Sequence, residues 1–147
     1  MKSIVLSCDK YHKLAYHMIL TYEKLWPANQ LTYLEFNEKV QLVKTAKEFI
    51  PTIQNLLAEC DENEWIFWST DDTYLMTIDA NSADITHKFV NSINDTDIYG
   101  VTFGNIRQVS KHVNKNDSLE FLGLNFIRRT ELTNQWAHQY WRVKVLK

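Results

Sequence analysis

Two adjacent carboxylates, Asp71 and Asp72, follow directly on the most hydrophobic run of the chain, Glu64-Trp65-Ile66-Phe67-Trp68-Ser69. A buried strand gains no stability from ending in two like charges, so these side chains are expected to face solvent or a cation. Two carboxylates on a loop suit Mg²⁺ or Mn²⁺, oxygen-preferring ions that keep several waters and complete their shell from substrate phosphates. A diphosphate ligand fits that pattern. The structural alternative is that Asp71 ends the strand and Asp72 caps the turn before Tyr74.

Arg107, Arg128 and Arg129 are the candidates for clamping a phosphate, because guanidinium offers planar bidentate donors, although a surface arginine is more often only solvated. No catalytic base can be assigned; Asp117, Glu120 and Glu131 are the carboxylates of the final segment. His12, His17, His87, His112 and His138 share no metal-binding spacing and read as exposed or locally satisfied residues. Ser7 and Ser69 lie in no Gly-x-Ser-x-Gly elbow, which argues against hydrolase chemistry. Gly100, Gly104 and Gly123 cannot form a Gly-x-Gly-x-x-Gly turn or a Walker loop, so classical dinucleotide and ATP sites are disfavoured.

The elements that would position these groups alternate. Ser3–Ser7 reads as a strand, and the stretch 11–26, with Leu14, Met18 and Leu25 at helical spacing, reads as a helix stopped by Pro27. Residues 31–36 suit a second strand. Residues 40–60 suit a helical region in which Pro51 starts or kinks a helix. The run 64–69 reads as a central strand buried on both faces. Asp79 to Ile93 reads as a capped helix and 98–103 as a further strand. Beyond Gly104 the pattern predicts a polar stretch to Ser118, one strand over Leu119–Ile127 and a terminal helix over Glu131–Val145. On that helix Leu132, Trp136, Tyr140 and Val143 form a stripe, with Trp141 beside it. The stripe suits core packing or, at a surface, homo-oligomer formation through an aromatic helix. The alternation as a whole predicts an α/β fold, a mainly parallel three-layer αβα sandwich with its ligand site beyond the carboxyl ends of the strands.

The chain of 147 residues, 45% hydrophobic and 23% charged, is sized for one domain, 1–147, and has neither low-complexity segments nor internal repeats. Its first residues lack the apolar core of a signal peptide, and no run approaches a membrane span, so a cytoplasmic protein without a membrane span is expected. Cys8 and Cys60 belong to no CxxC pair and read as reduced thiols. Charge is uneven: residues 1–104 carry 8 Lys/Arg against 15 Asp/Glu, and residues 105–147 carry 8 against 3, formal balances of −7 and +5. The two surfaces can attract each other, or the basic tail can approach a phosphate. The acidic total argues against a nucleic-acid partner.

The segments Ser3-Ile4-Val5-Leu6-Ser7-Cys8-Asp9 and Trp65-Ile66-Phe67-Trp68-Ser69-Thr70-Asp71-Asp72-Thr73-Tyr74-Leu75 resemble the nucleotide-diphospho-sugar transferase family of glycosyltransferases. The resemblance implies a Rossmann-like GT-A core over 1–104, with 105–147 supplying a C-terminal strand and helix. It implies that Ser7 and Asp9 border the nucleotide, and that Asp71 and Asp72 occupy an acidic motif that holds ribose and a Mn²⁺ or Mg²⁺ ion on a nucleotide-sugar donor. The chain departs from the usual Asp-x-Asp in having Asp71-Asp72 followed by Thr73. Only 75 residues follow the pair, so the resemblance also allows a truncated relative: a non-catalytic binding or interaction module without a complete acceptor site. A receiver-like phosphoacceptor domain fits less well, because it would place an acidic pair after the first strand, where Asp9 stands alone.

Overall fold

The computed structural model describes residues 1–7, 11–33, 46–71, 73, 75–103, 113–129 and 138–147. Along the chain these form β1 (Lys2–Leu6), α1 (His12–Leu25), β2 (Thr32–Tyr33), α2 (Ala46–Leu56), β3 (Trp65–Thr70), α3 (Ala80–Ser92), β4 (Gly100–Thr102), β5 (Val113–Phe121), β6 (Leu124–Arg129), β7 (Gln139–Arg142) and α4 (Val143–Leu146). A five-stranded sheet has the order β2-β1-β3-β7-β4, and β5-β6 form a separate two-stranded sheet.

The first half follows the sequence pattern closely. All six residues of β3 are buried, as a continuous apolar run requires. Their alternation feeds two cores. Ile66 and Trp68 join Ile4, Leu6, Ile53, Leu57, Trp141 and Val143. Trp65 and Phe67 join Met18, Tyr22, Val90 and Tyr140. Thus α1 and α3 cover one face, while α2 and α4 cover the other. Strand β1 lies between β2 and β3, parallel to both. The chain therefore reverses its direction of travel across the sheet at the edge strand β2, and right-handed crossovers then put α1 and α2 on opposite faces. The expected cap of α3 is present: the Asp79 carboxylate accepts from the Asn81 and Ser82 amides, at 3.1 and 3.4 Å, and from the Ser82 hydroxyl. Helix α1 ends at Leu25, just before Pro27, and α2 runs through Pro51 rather than starting there.

The second half corrects three expectations. The larger sheet is mixed, because β7 runs antiparallel to both β3 and β4. With the separate antiparallel pair β5-β6 added, the mainly parallel three-layer αβα sandwich and its GT-A core are not the architecture. Next, Leu119–Ile127 is not one strand. It folds back at Leu122 and Gly123, whose φ values of 49° and 84° build a left-handed turn of the kind that joins hairpin strands. Finally, the segment expected as the end of a terminal helix is strand β7 followed by one helical turn. Adjacent Tyr140 and Trp141 point to opposite faces, 0% and 7% exposed, so the described part of the aromatic stripe is core and forms no self-association surface. The rest of it, Leu132 and Trp136, lies outside the described residues.

Arg142 explains why β7 must stop where it does. Its guanidinium lies 4.2 Å from the Trp65 ring centroid and donates to the carbonyls of Asn63, Ile93 and Asp95, the last two at 3.0 and 3.3 Å. A buried cation so occupied joins the start of β3 to the end of α3. Burial holds its pKa below the usual arginine range, with nearby Asp95 opposing that shift. Main-chain bonds from Val143 to Glu64 and from Lys144 to Glu62, both 3.0 Å, then fasten α4 beside β3.

Gly100 pairs with Trp141, and a Cβ there would lie 2.7 Å from two indole carbons and 3.2 Å from the Tyr140 carbonyl oxygen. Gly100→Ala should therefore lower stability by about 1–3 kcal/mol, read as a lower urea midpoint with an unchanged m value. An unchanged midpoint would contradict this packing. Replacing Arg142 by Met, which removes a buried guanidinium and its bonds to the carbonyls of Asn63, Ile93 and Asp95, should cost about 1–3 kcal/mol in the same assay, whereas a neutral result would show the guanidinium to be dispensable.

Candidate functional site

The site grows from the carboxyl ends of β1 and β3. Strand β1 ends at Leu6, and the next residue, Ser7, is 8% exposed; β3 ends at Thr70, and Asp71 is 9% exposed. The Asp71 amide donates to the Leu6 carbonyl at 2.9 Å, which extends the parallel pairing by one residue. The Ser7 hydroxyl donates to Asp71 Oδ2. Sixty-four residues apart in sequence, these two side chains close the gap between neighbouring parallel strands. That gap is the topological switch point, since β1 connects toward one edge of the sheet and β3 lies toward the other; in open α/β sheets ligands bind at such crevices.

Thr70 and Thr73 bracket the acidic pair. Their hydroxyls are 2.9 Å apart, and the Thr73 amide donates to the Thr70 carbonyl at 3.4 Å. Leu75, two residues on, packs against the α1/α3-side core and anchors the outgoing chain. Local threonine hydrogen bonds and one apolar anchor thus hold the chain on either side of Asp71 and Asp72.

Of the residues singled out by sequence, Ser7 and Asp71 are brought together. Asp72, Asp9 and Arg107 lie outside the described residues, as does His112. Arg128 and Arg129 stand on β6, in the two-stranded sheet rather than the main one. That hairpin leans on α3, with Phe89 stacked on Phe126 at 3.9 Å and tilted against Phe121 at 5.4 Å. Arg128 is exposed, and Arg129 is partly buried with its Nε unpartnered. Asp117 and Glu120 are exposed on β5.

Sequence spacing missed His138. It precedes β7, and because Gln139 pairs with Trp68 it stands beside Ser69, next to the acidic turn. It is 8% exposed, its Nδ1 is hydrogen-bonded to the Tyr22 hydroxyl of α1, and its carbonyl accepts from the Phe103 amide at 3.4 Å. Burial pushes its pKa below the ordinary value of 6.5, and the Thr73 backbone opposes that shift. His87 is likewise lowered, by burial first, and faces the Tyr140 hydroxyl at 3.4 Å. The available signal was the alternation His138, Tyr140, Arg142 against Gln139, Trp141, a strand period hidden by a coincident helical stripe.

Among the described residues, no three His, Cys, Asp or Glu side chains gather within reach of one metal ion. Asp71 presents a single carboxylate, with one oxygen taken by Ser7. An ion such as Mg²⁺ needs only one or two protein carboxylates when phosphates and waters fill the remaining positions, so this chemistry suits a metal that arrives with its ligand. Comparison with protein-family models, curated proteins and solved structures finds no match for this chain. No helix among the described residues is long and apolar enough to cross a membrane.

The histidine shifts have a pH consequence. With folded pKa values below the unfolded value of about 6.5, the unfolded chain takes up protons first as pH falls, so stability is full above that value and declines below it until the folded histidines titrate. Unfolding free energies at pH 7.5 and 5.5 should therefore differ less in His138→Gln than in the wild type. Identical differences would mean that His138 titrates as it does in the unfolded chain.

Proposed function

We propose that the protein is a glycosyltransferase-like protein that binds a nucleotide-sugar donor at the carboxyl ends of β1 and β3. Asp71 and Asp72 hold a Mn²⁺ or Mg²⁺ ion that the donor's diphosphate shares. The observation that carries the reading is the Ser7–Asp71 hydrogen bond across the switch point, which places a buried carboxylate where α/β sheets take their ligands. The sequence resemblance to nucleotide-diphospho-sugar transferases adds to it. Bound there, the cation would offset charge on the diphosphate, and Ser7 would keep Asp71 oriented. Asp9 would border the nucleotide, while Arg107, Arg128 and Arg129 are the cationic side chains assigned to the phosphates. The buried free thiol of Cys60 agrees with a cytoplasmic location.

A second reading, a non-catalytic nucleotide-binding module, is favoured by one observation. Among the described residues after β4, the chain is spent on a hairpin that leans on α3 and on a strand that completes the sheet. The two readings share the donor site and differ in turnover.

Calorimetric titration with UDP-, GDP- and CDP-sugars, with and without Mn²⁺, tests the shared part. Metal-dependent binding is expected for the wild type, with loss of about 100-fold or more in affinity for Asp71→Asn and Asp72→Ala. Binding to none of the nucleotides would overturn the proposal. Release of free sugar or transfer to an acceptor would decide between enzyme and module.

A further inference from the structure

Two buried polar atoms stand side by side just below Asp71, and a cation there would use neither. The pairing of Trp68 with Gln139 continues one step to Ser69 and His138, and that of Thr102 with Gln139 continues to Phe103 and His138. Val5 lies on the other side of Ser69. These four residues form one row across the sheet, and residues opposite one another on neighbouring strands share a face. The face is the one under α1, since His138 meets the Tyr22 ring and Phe103 meets the rings of Phe67 and Tyr140. Asp71, two residues beyond Ser69, projects from the same face, as does its partner Ser7.

Ser69 is 0% exposed and His138 8%, yet among the described residues neither Ser69 Oγ nor His138 Nε2 has a hydrogen-bond partner. Two such atoms in adjacent positions, each costly to bury unpaired, mark a place built for a polar group. The chemistry of that group follows from theirs. A serine hydroxyl donates and accepts, and Nε2 does one or the other according to whether Nδ1 accepts from Tyr22 or donates to it. A ligand hydroxyl, itself donor and acceptor, suits either state. The nearby Asp71 carboxylate disfavours an anion and can accept from a second hydroxyl, even with one oxygen bonded to Ser7. Phe103, 37% exposed at the same end of the sheet, supplies an apolar wall, and Ser69 is the smallest side chain of its row. Apolar walls with a few placed polar groups are the ordinary make-up of a small-molecule site.

We propose that Ser69, His138 and Asp71 form a diol-binding subsite for a neutral sugar ring. One hydroxyl bonds to Ser69 Oγ and His138 Nε2, its neighbour donates to Asp71, and the ring's C–H face lies on Phe103. The ring is the ribose of a nucleotide or a free saccharide. The subsite shares only Asp71 with the cation reading and needs no metal ion.

The test is a titration of the metal-free chain, followed by the amide signals of Ser69 and Phe103 and the imidazole signals of His138. The probes are uridine, guanosine and cytidine, their dideoxy counterparts, and methyl glucoside. Saturable shifts are expected with a diol-bearing probe. Loss of those shifts with the dideoxynucleosides identifies ribose, and shifts with methyl glucoside identify a free saccharide. Ser69→Ala and His138→Gln should each weaken the binding by about tenfold. Ser3→Ala should not, although Ser3 Oγ is equally buried and unpartnered, because it lies opposite Phe67 and two rows from Asp71. Ser69→Ala removes only a buried hydroxyl, so it decides the matter even where His138→Gln does not fold. Three results would each overturn the proposal: no saturable shift with any diol, binding unchanged in Ser69→Ala, or equal binding of nucleosides and their dideoxy counterparts with none of the glucoside. Because no metal is present, failure of the cation reading leaves every one of these outcomes as it stands.

Discussion

The arrangement depends on one constraint: a four-residue strand, Gln139–Arg142, inserted antiparallel between β3 and β4. Without it the two parallel strands would have no common neighbour. Three of its four side chains have separate tasks. Tyr140 completes the core under α1 and α3, Trp141 completes the core under α2, and Arg142 holds the carbonyls at the opposite end from the site. Because Trp141 lies over Gly100, the insertion also fixes what the edge strand can carry.

The same insertion brings His138 to the end of the sheet where Ser7 and Asp71 meet. A strand antiparallel to β3 starts near the end of β3, so His138, just before β7, lies beside Ser69, the penultimate residue of β3. Tyr22 is one helix away and fully buried, and the polar contact between them crosses from helix to sheet at the level of the acidic turn. Core packing and site geometry are therefore not independent here. Tyr22 and His138, which meet there, both belong to the buried layer.

What could be read from the sequence was the part governed by local patterning. The run through Trp65 and Phe67 could only be an interior strand, Asp79 could cap α3 because its side chain reaches the amides two and three residues on, and Pro27 marked the end of α1. The parallel pairing of the first three strands followed from alternation, whereas their order β2-β1-β3 did not. The C-terminal region was misread because its determinants are non-local. Trp136, Tyr140 and Val143 happen to repeat at helical spacing, yet the choice of strand is made by partners in β3 and β4 that lie some 40 to 75 residues earlier. Likewise the apolar continuity of Leu119–Ile127 concealed a turn at Leu122 and Gly123, where leucine occupies a conformation usually left to glycine or asparagine. No spacing rule could have paired Tyr22 with His138, 116 residues away.

The central claim is spatial: a cation and a nucleotide diphosphate meet at the junction of β1 and β3. Paramagnetic broadening tests it most directly, because Mn²⁺ erases the amide signals nearest to it whatever the affinity. In the presence of a nucleotide diphosphate-sugar, trace Mn²⁺ should broaden Leu6, Ser7, Asp71 and Thr73 first and the amides around Arg142, at the other end of β7, last. Broadening centred elsewhere, or spread evenly over the exposed carboxylates, would contradict the account.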